Sequence, residues 1–262
     1  MLEQLVDDRN PSVSGILAGI SKGKVWLFEE TNPTFAVVYS YCVGGCGLAG
    51  SIKPECKDKI KIFLNHVFND LKAEGKNCFE FSAEEETLYK QIFSLFPEKT
   101  LYSEVEYSYR LTRSYENLPD KIQEFRIQKV NELVLEKLLA GTYNNSVMFL
   151  ERYQNSWRDS KQFLTYSRSF LVIKNNEIVG VIFGSSRFKD IITVDIEVNS
   201  RYRKQGLASL LSYHMLNDCW KDHITLQWDH VESNIASKRL AEKIGFRLFK
   251  TRPYYWFDLS EE

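Results

Sequence analysis

The chain has 262 residues, 44% hydrophobic and 26% charged, with a formal net charge of -1. That composition excludes a disordered or fibrous chain and gives length enough for two compact units. The near-zero net charge excludes a general field toward nucleic acid or an anionic membrane surface. No apolar stretch approaches the roughly 18 residues a spanning helix needs. The start, Met1-Leu2-Glu3-Gln4-Leu5-Val6-Asp7-Asp8, is acidic without a signal-like core, so a cytoplasmic protein is expected. Five cysteines, Cys42, Cys46, Cys56, Cys78 and Cys219, form no regular framework and fit reduced thiols. Cys42 and Cys46 lack the second ligand pair a zinc site wants, so no metal is expected.

In chain order, Phe35 to Tyr39 reads as a strand, and Gly45-Cys46-Gly47-Leu48-Ala49-Gly50 behind it matches the dinucleotide pattern G-x-G-x-x-G. The context fails. Ser51-Ile52-Lys53-Pro54 cannot open a helix directly after the glycines, and Asp70, the carboxylate about 20 residues on, falls inside a helical pattern. A glycine-rich turn is expected instead. Ile60, Phe63, Leu64, Val67 and Leu71 form a helical stripe, Phe79-Glu80-Phe81 a strand, and Tyr107 to Arg113 closes a strand-rich stretch. The polar link Ser114 to Asp120 places a domain boundary, with one domain at 1–118 and a second at 119–262.

From Lys121 onward, Ile127, Val130, Val134 and Leu138 suggest a helix ended near Gly141. Phe149 to Phe163 reads as helix and loop, and Phe170 to Lys174 with Val179 to Ser185 reads as a hairpin around Asn175-Asn176-Glu177. Ile191 to Val198 alternates apolar and polar residues, as a half-buried strand does. A helix with the apolar face Leu207, Leu210, Leu211, Met215 and Cys219 follows. Between them lies Arg203-Lys204-Gln205-Gly206-Leu207-Ala208. A helix start leaves N–H groups without backbone partners and carries partial positive charge, so this turn is suited to cradle an anion. Arg201, Arg203 and Lys204 add mobile charge around it. Ile224 to Trp228 is another strand, Asn234 caps a helix stopped by Gly245, and Tyr254 and Tyr255 lie in a final strand.

The order strand, R-x-x-G-x-A, helix, strand, N-x-x-S-x-x-L-x-x-K-x-G-F, strand resembles the acetyl-CoA-binding half of the GCN5-related N-acetyltransferases, over roughly Phe125 to Asp258. The resemblance implies an α/β (α+β) protein of the GNAT fold, with a mixed, mostly antiparallel sheet flanked by helices. It implies that backbone groups around Glu197 and Val198 bond the pantetheine arm. Arg203, Lys204, Gln205, Gly206, Leu207 and Ala208 would cradle the pyrophosphate, and Asn234, with Ser237 beside it, would bind near the thioester. Gln227-Trp228-Asp229 with Asn234 and Ser237-Lys238-Arg239-Leu240-Ala241 looks most like the bacterial zwittermicin-resistance branch.

The implied activity is direct transfer of an acetyl group from acetyl-CoA to a primary amine of a small molecule, without metal or covalent enzyme intermediate. Asp195 and Glu197 share a strand face and are candidates to take the amine's proton; His230 competes, while His214 and His223 read as structural or exposed. Many members carry a tyrosine where this chain has Ala241, and it protonates the departing thiolate. Tyr255 or Tyr254 can replace it, or water, or the step needs little help. The same departure supports an alternative, an acetyl-CoA-binding regulatory or scaffold protein without turnover. Partners are then acetyl-CoA and an amine, without nucleic acid or membrane, in a monomer or homodimer.

The first half echoes the second. At an offset of 147 residues the stripe Ile60, Phe63, Leu64 lies over Leu207, Leu210, Leu211, and Phe79-Glu80-Phe81 over Leu226-Gln227-Trp228. Opposite Arg203 to Ala208 stand Cys56-Lys57-Asp58-Lys59-Ile60-Lys61. A degenerate GNAT-like copy without a cofactor site is expected at the N-terminus.

Overall fold

The computed structural model describes residues 2–111 and 124–260. The polar link at 114–120, the boundary placed after 118 and Lys121 lie outside the described residues.

In the first half, α1 (Pro11–Leu17) begins where the Asn10 side chain accepts from Val13 N–H and Pro11 presets the first turn. Three strands follow, β1 (Gly23–Phe28), β2 (Phe35–Ser40) and β3 (Gly45–Gly50). A 3₁₀ turn at Pro54–Cys56 leads into α2 (Lys57–Ala73), then β4 (Cys78–Ala83), α3 (Glu86–Leu95) and β5 (Tyr102–Leu111).

The second half opens with β6 (Arg126–Lys129) and three helices, α4 (Glu132–Leu139), α5 (Val147–Ser156) and α6 (Ser160–Tyr166). β7 (Ser169–Lys174) and β8 (Glu177–Phe188) form the expected hairpin, turned by Asn175 and Asn176, both at positive φ. Then come β9 (Ile191–Val198), a 3₁₀ turn at Ser200–Tyr202, α7 (Leu207–Lys221), β10 (Thr225–Val231), α8 (Ile235–Ile244) and β11 (Arg247–Asp258).

The strands of the described residues make one eleven-stranded sheet in the order β1-β2-β3-β4-β11-β5-β10-β9-β8-β7-β6. Among the described strands only β3–β4 and β9–β10 pair in parallel, so the sheet is mixed and mostly antiparallel, flanked by helices as the resemblance implied. Each half gives its last strand to the other: β11 lies between β4 and β5, and β5 between β11 and β10. The offset of 147 carries β4 onto the first six residues of β10, so the helix-strand-helix-strand echo is present in the fold.

Apolar residues sort by strand parity onto two faces. On one face Phe79, Phe81 and Phe257 pack under α2 and α3, and Tyr109, Trp228 and Ile192 under α7 and α8; on the other, Ala36, Val38 and Ala49 pack under α1. A further cluster joins α4, α5 and α6 to β7 and β8. No described helix is long and apolar enough to cross a membrane.

Two local expectations are corrected. Gly45 to Gly50 is not a turn but the buried strand β3. Its glycines admit α1 across the sheet: a Cβ on Gly47 would stand 2.0 Å from Val13 Cγ2. The helix expected from Lys121 begins only at Glu132, because Ile127 belongs to β6, paired with β7. An i, i+3 spacing of Ile127 and Val130 does not separate a helix from a strand followed by a helix.

Candidate functional site

β9 and β10 pair at Ile191–Thr225, Ile192–Leu226 and Thr193–Gln227, and there the pairing ends. β9 continues to Val198 and β10 to Val231, so the sheet opens into a wedge. The ladder on the other side fixes which backbone groups face that wedge. Asn199 N–H donates to Val179 O, and with the regular β8–β9 register this turns the groups of Asp195 and Glu197 toward β8. Val194, Ile196 and Val198 therefore turn theirs toward the wedge. Of Glu197 and Val198, where a strand-like contact was expected, only Val198 turns its backbone groups to the wedge, together with Ile196; the Glu197 backbone is used in the sheet. Val198 O already accepts from Arg203 Nε at 3.1 Å, which leaves its N–H.

At the end of β9 the chain turns through Lys204 (φ 62°) and Gly206 (φ 79°) into α7. No side chain caps that helix, so its first N–H groups are directed outward. A Cβ at Gly206 would meet nothing within 4 Å, and Arg201, Arg203, Lys204, Gln205 and Gly206 are all exposed. Leu207 is buried under the helix and anchors the turn, and Ala208 is half-buried beside it. Open space, outward donors and local positive charge together fit an anion such as a pyrophosphate.

Beyond β10, Asn234 Oδ1 accepts from Ser237 N–H at 3.1 Å and caps α8. Ser237 Oγ accepts from Trp228 Nε1 at 2.7 Å. Both residues thus hold the helix start at the wedge, and the Asn234 amide N–H₂ group is the part left to contact a ligand. Ala241 is fully buried in the core beneath α8. A tyrosine there would have to displace that packing.

On the sheet face that carries α1, a cavity of about 540 Å³ spans both halves and reaches the wedge. Asp195 lines it, 2.7 Å from Arg152 Nε, and Glu197 lies 2.9 Å from Arg152 Nη2. The two carboxylates do share a face, and the cation between them is an arginine of α5. Asp195 also acts on the β2–β3 hairpin of the first half: burial pushes the Cys42 thiol up, and the Asp195 charge adds to this. Cys219, buried late in α7, is pushed up to about 12 by burial and is no thiolate.

Asp229 faces the cavity between Gln227 and Arg252. Gln227 Nε2 donates to both of its oxygens at 3.1 Å, and Arg110 Nε fixes Gln227 by donating to its Oε1 at 3.0 Å. Burial raises the Asp229 pKa, and repulsion from Glu106 adds to that, against the pull of Arg252. Arg252 itself pairs through two bonds of 2.8 Å with Glu106 and with Glu84, which also holds Lys250. His230, 6% exposed, is stacked against Tyr107 and Tyr109 at 5.4 Å each. Its Nδ1 donates to Val231 O at 2.9 Å, and its buried Nε2 has no partner. His230 lies within β10, not beyond it.

The family profile described as GNAT acetyltransferase matches residues 3–255. The chain belongs to the GNAT acetyltransferase family. Solved structures share the fold of this GNAT chain at low identity. A GCN5-related N-acetyltransferase-like protein from Streptococcus suis is 18% identical with a TM-score of 0.63, covering 90% of this chain and 88% of that one. A tandem GNAT protein from the clavulanic acid biosynthesis pathway is 9% identical with a TM-score of 0.60, covering 97% and 89%. A GCN5-related N-acetyltransferase from Kribbella flavida is 11% identical at 0.58, covering 94% and 93%. The tandem neighbour agrees with a two-domain arrangement of GNAT-like halves. No curated protein sequence matches the chain.

In this GNAT chain the residues singled out in sequence fall into two groups. Arg203 to Ala208, Val198, Asn234 and Ser237 gather around the wedge, and Asp195 lies on its cavity side. Tyr255 does not join them. Its ring packs among Phe81, Tyr89 and Phe93 under α3, on the opposite face. Tyr254 is the phenol on the cavity side, donating to Glu80 Oε2 at 2.6 Å, with its pKa raised by burial first and by Glu80 next. Asp229 and Arg152 carried no signal as candidates for proton transfer or charge balance; alternation within β10 was the only available pointer to Asp229.

Proposed function

We propose that the protein transfers an acetyl group from acetyl-CoA to a primary amine of a small molecule. The observation that carries this is the wedge between β9 and β10, flanked by an uncapped α7 N-terminus on one side and a cavity with a raised carboxyl on the other. Acetyl-CoA, when bound, supplies the thioester carbon that the amine attacks. The turn at Arg203 to Ala208 holds its pyrophosphate with backbone N–H groups and mobile cations. Val198 N–H and the Ile196 backbone hold the amides of the pantetheine arm as an added strand would be held, and the Asn234 amide bonds near the thioester.

Asp229 takes the proton of the acceptor ammonium. A carboxylate with a raised pKa is a better base near neutral pH than an ordinary one. Asp195, held by Arg152, orients the amine, and Glu197 keeps Arg152 in place. The new C–N bond forms as the C–S bond breaks, the nitrogen passes its second proton to a water molecule, and that water gives a proton to the thiolate. Tyr254 keeps its own proton for Glu80, and Ala241 has none to give. The closer resemblance to zwittermicin-resistance acetyltransferases rests on the sequence alone, on Gln227-Trp228-Asp229 with Asn234 and Ser237 to Ala241.

A panel of amines incubated with acetyl-CoA and followed by mass spectrometry tests this. The expected result is an acetylated amine with stoichiometric free CoA. Bound acetyl-CoA with no product from any amine contradicts it and favours the non-catalytic alternative, for which the buried Ala241 is the supporting observation.

A further inference from the structure

The Gln227 side chain stands between two groups of opposite demand. Arg110 Nε donates to its Oε1 at 3.0 Å, and its Nε2 donates to both oxygens of Asp229 at 3.1 Å. A guanidinium has only donors and a carboxylate only acceptors, so this orientation of the amide is the one that satisfies both. Turned over, the amide would set N–H₂ against the guanidinium and its carbonyl against the carboxylate. Gln227 is 1% exposed, so water cannot make up either loss. Without Arg110 the amide is free to turn, and its carbonyl then accepts from a protonated Asp229 as readily as its N–H₂ donates to an ionised one.

Arg110 is itself fixed from outside the β5–β10 pair. Its Nη2 donates to Asp8 O, and its guanidinium carbon lies 3.8 Å from the centre of the Phe249 ring. The segment that carries Asp8 is held in turn: the Asp8 carboxylate lies 2.9 Å from Lys189 Nζ, in the turn between β8 and β9, and Arg9 lies 2.8 Å from Glu85 before α3. Charged groups face Asp229 from each neighbouring strand, Glu106 and Arg110 from β5, Lys250 and Arg252 from β11, with Glu84 next to both, and Asp195 from β9 across the cavity. Arg252 and Lys250 are engaged by Glu106 and Glu84, whereas Arg110 is directed at Gln227 and Asp8.

We propose that Arg110 is a positioning residue for the transfer, acting through Gln227: it fixes which end of the amide meets Asp229 and so holds that carboxyl in its proton-accepting form. This rests on the reading of Asp229 as the base and deepens it, because the segment before α1 then takes part in setting the charge of the base. Burial and Glu106 push the Asp229 pKa up, and the Gln227 contacts oppose them. Loss of those contacts leaves the carboxyl protonated, and idle as a base, over a wider range of pH.

The test is a ¹³C NMR pH titration of the Asp229 carboxyl in the full chain, its signal assigned by its loss in Asp229→Asn. In Arg110→Met the midpoint should rise by about one pH unit, and in Gln227→Met by a similar amount. Arg110→Lys, which keeps a donor for Gln227 Oε1, should stay within about half a unit of wild type. The double variant Arg110→Met/Gln227→Met separates the amide route from the direct field of the guanidinium, and its midpoint should match that of Gln227→Met alone. A midpoint unmoved in Arg110→Met, or one that moves as far again when Arg110 is removed from the Gln227→Met chain, overturns the inference. Gln227→Met keeps the test decisive where Arg110→Met does not fold, an unmoved midpoint there having the same meaning. In turnover, the acid limb of the pH–rate profile should move with the midpoint while the KM for acetyl-CoA stays unchanged, a split that a general loss of structure does not produce. A shifted midpoint without any acetylated amine contradicts the acetyl-transfer reading and leaves the Arg110–Gln227 link standing; an unmoved midpoint with normal turnover does the reverse.

Discussion

The two halves of the sheet have the same order of helix and strand, yet only the second is built to open. In the first, β3 and β4 pair from Cys46–Phe81 to Leu48–Ala83, and Ala83 is the last residue of β4, so that pair has no unpaired β4 segment beyond it. In the second, pairing stops at Gln227 with four more residues of β10 to come. The helix starts differ in the same sense. α2 is entered through Pro54, with Cys56 at its N-cap position and no left-handed residue before it, whereas α7 is entered through Lys204 and Gly206 at positive φ. At the next helix the contrast repeats: α3 starts after Glu85 with no side-chain cap, while α8 is capped by Asn234. A repeated fold is therefore cheap to keep, and a site needs a few particular residues at strand ends and helix starts.

The exchange of β5 and β11 ties the halves together through Arg252, and removing that tie gives the largest expected effect. Arg252→Ala leaves Glu106 buried without its partner and should cost about 3–5 kcal/mol in denaturant unfolding. A loss under about 1 kcal/mol would mean the halves hold together without this network.

Asp229→Asn sharpens the contrast at the wedge in two measurements. Turnover should fall about 10²- to 10⁴-fold if this carboxyl is the base. Its pKa is raised in the folded chain, so its contribution to stability is full below the unfolded value and is lost as pH rises through the folded one. The variant cannot ionise, and its Tm should therefore exceed that of the wild type near pH 8, with the gain vanishing toward about pH 4. A Tm difference that grows on acidification contradicts the assignment.

Gly206→Asp should weaken acetyl-CoA binding by at least about 100-fold, because it sets a carboxylate against the phosphate. Gly206→Asn, equally able to adopt positive φ, should lose much less, which isolates charge from backbone strain. The smallest effect belongs to Tyr255→Phe. With its ring under α3, turnover should stay within about twofold of wild type.

The parts of this site legible in sequence were those set by local rules. Asn234, Gly245, the turn at Gly206 and the alternation of Ile191 to Val198 depend on residues within one helical turn or one strand. What stayed hidden depends on long-range pairing. No local pattern tells that β11 leaves its own half, and without that register Tyr254 and Tyr255 cannot be told apart. Arg152 lies on a helix more than forty residues before the carboxylates it joins, with no motif around it. Gly45 to Gly50 has a turn-like composition, but it is a strand paired with β2 and β4, and Gly47 leaves room for Val13.

The central claim is that one half alone binds acetyl-CoA, and the stoichiometry of binding tests it most directly. Titration should give one site per chain, abolished in Gly206→Asp and unchanged in Lys59→Asp, the position opposite Gly206 in the first half. Two sites per chain, or a single site lost with Lys59→Asp and kept with Gly206→Asp, would contradict it.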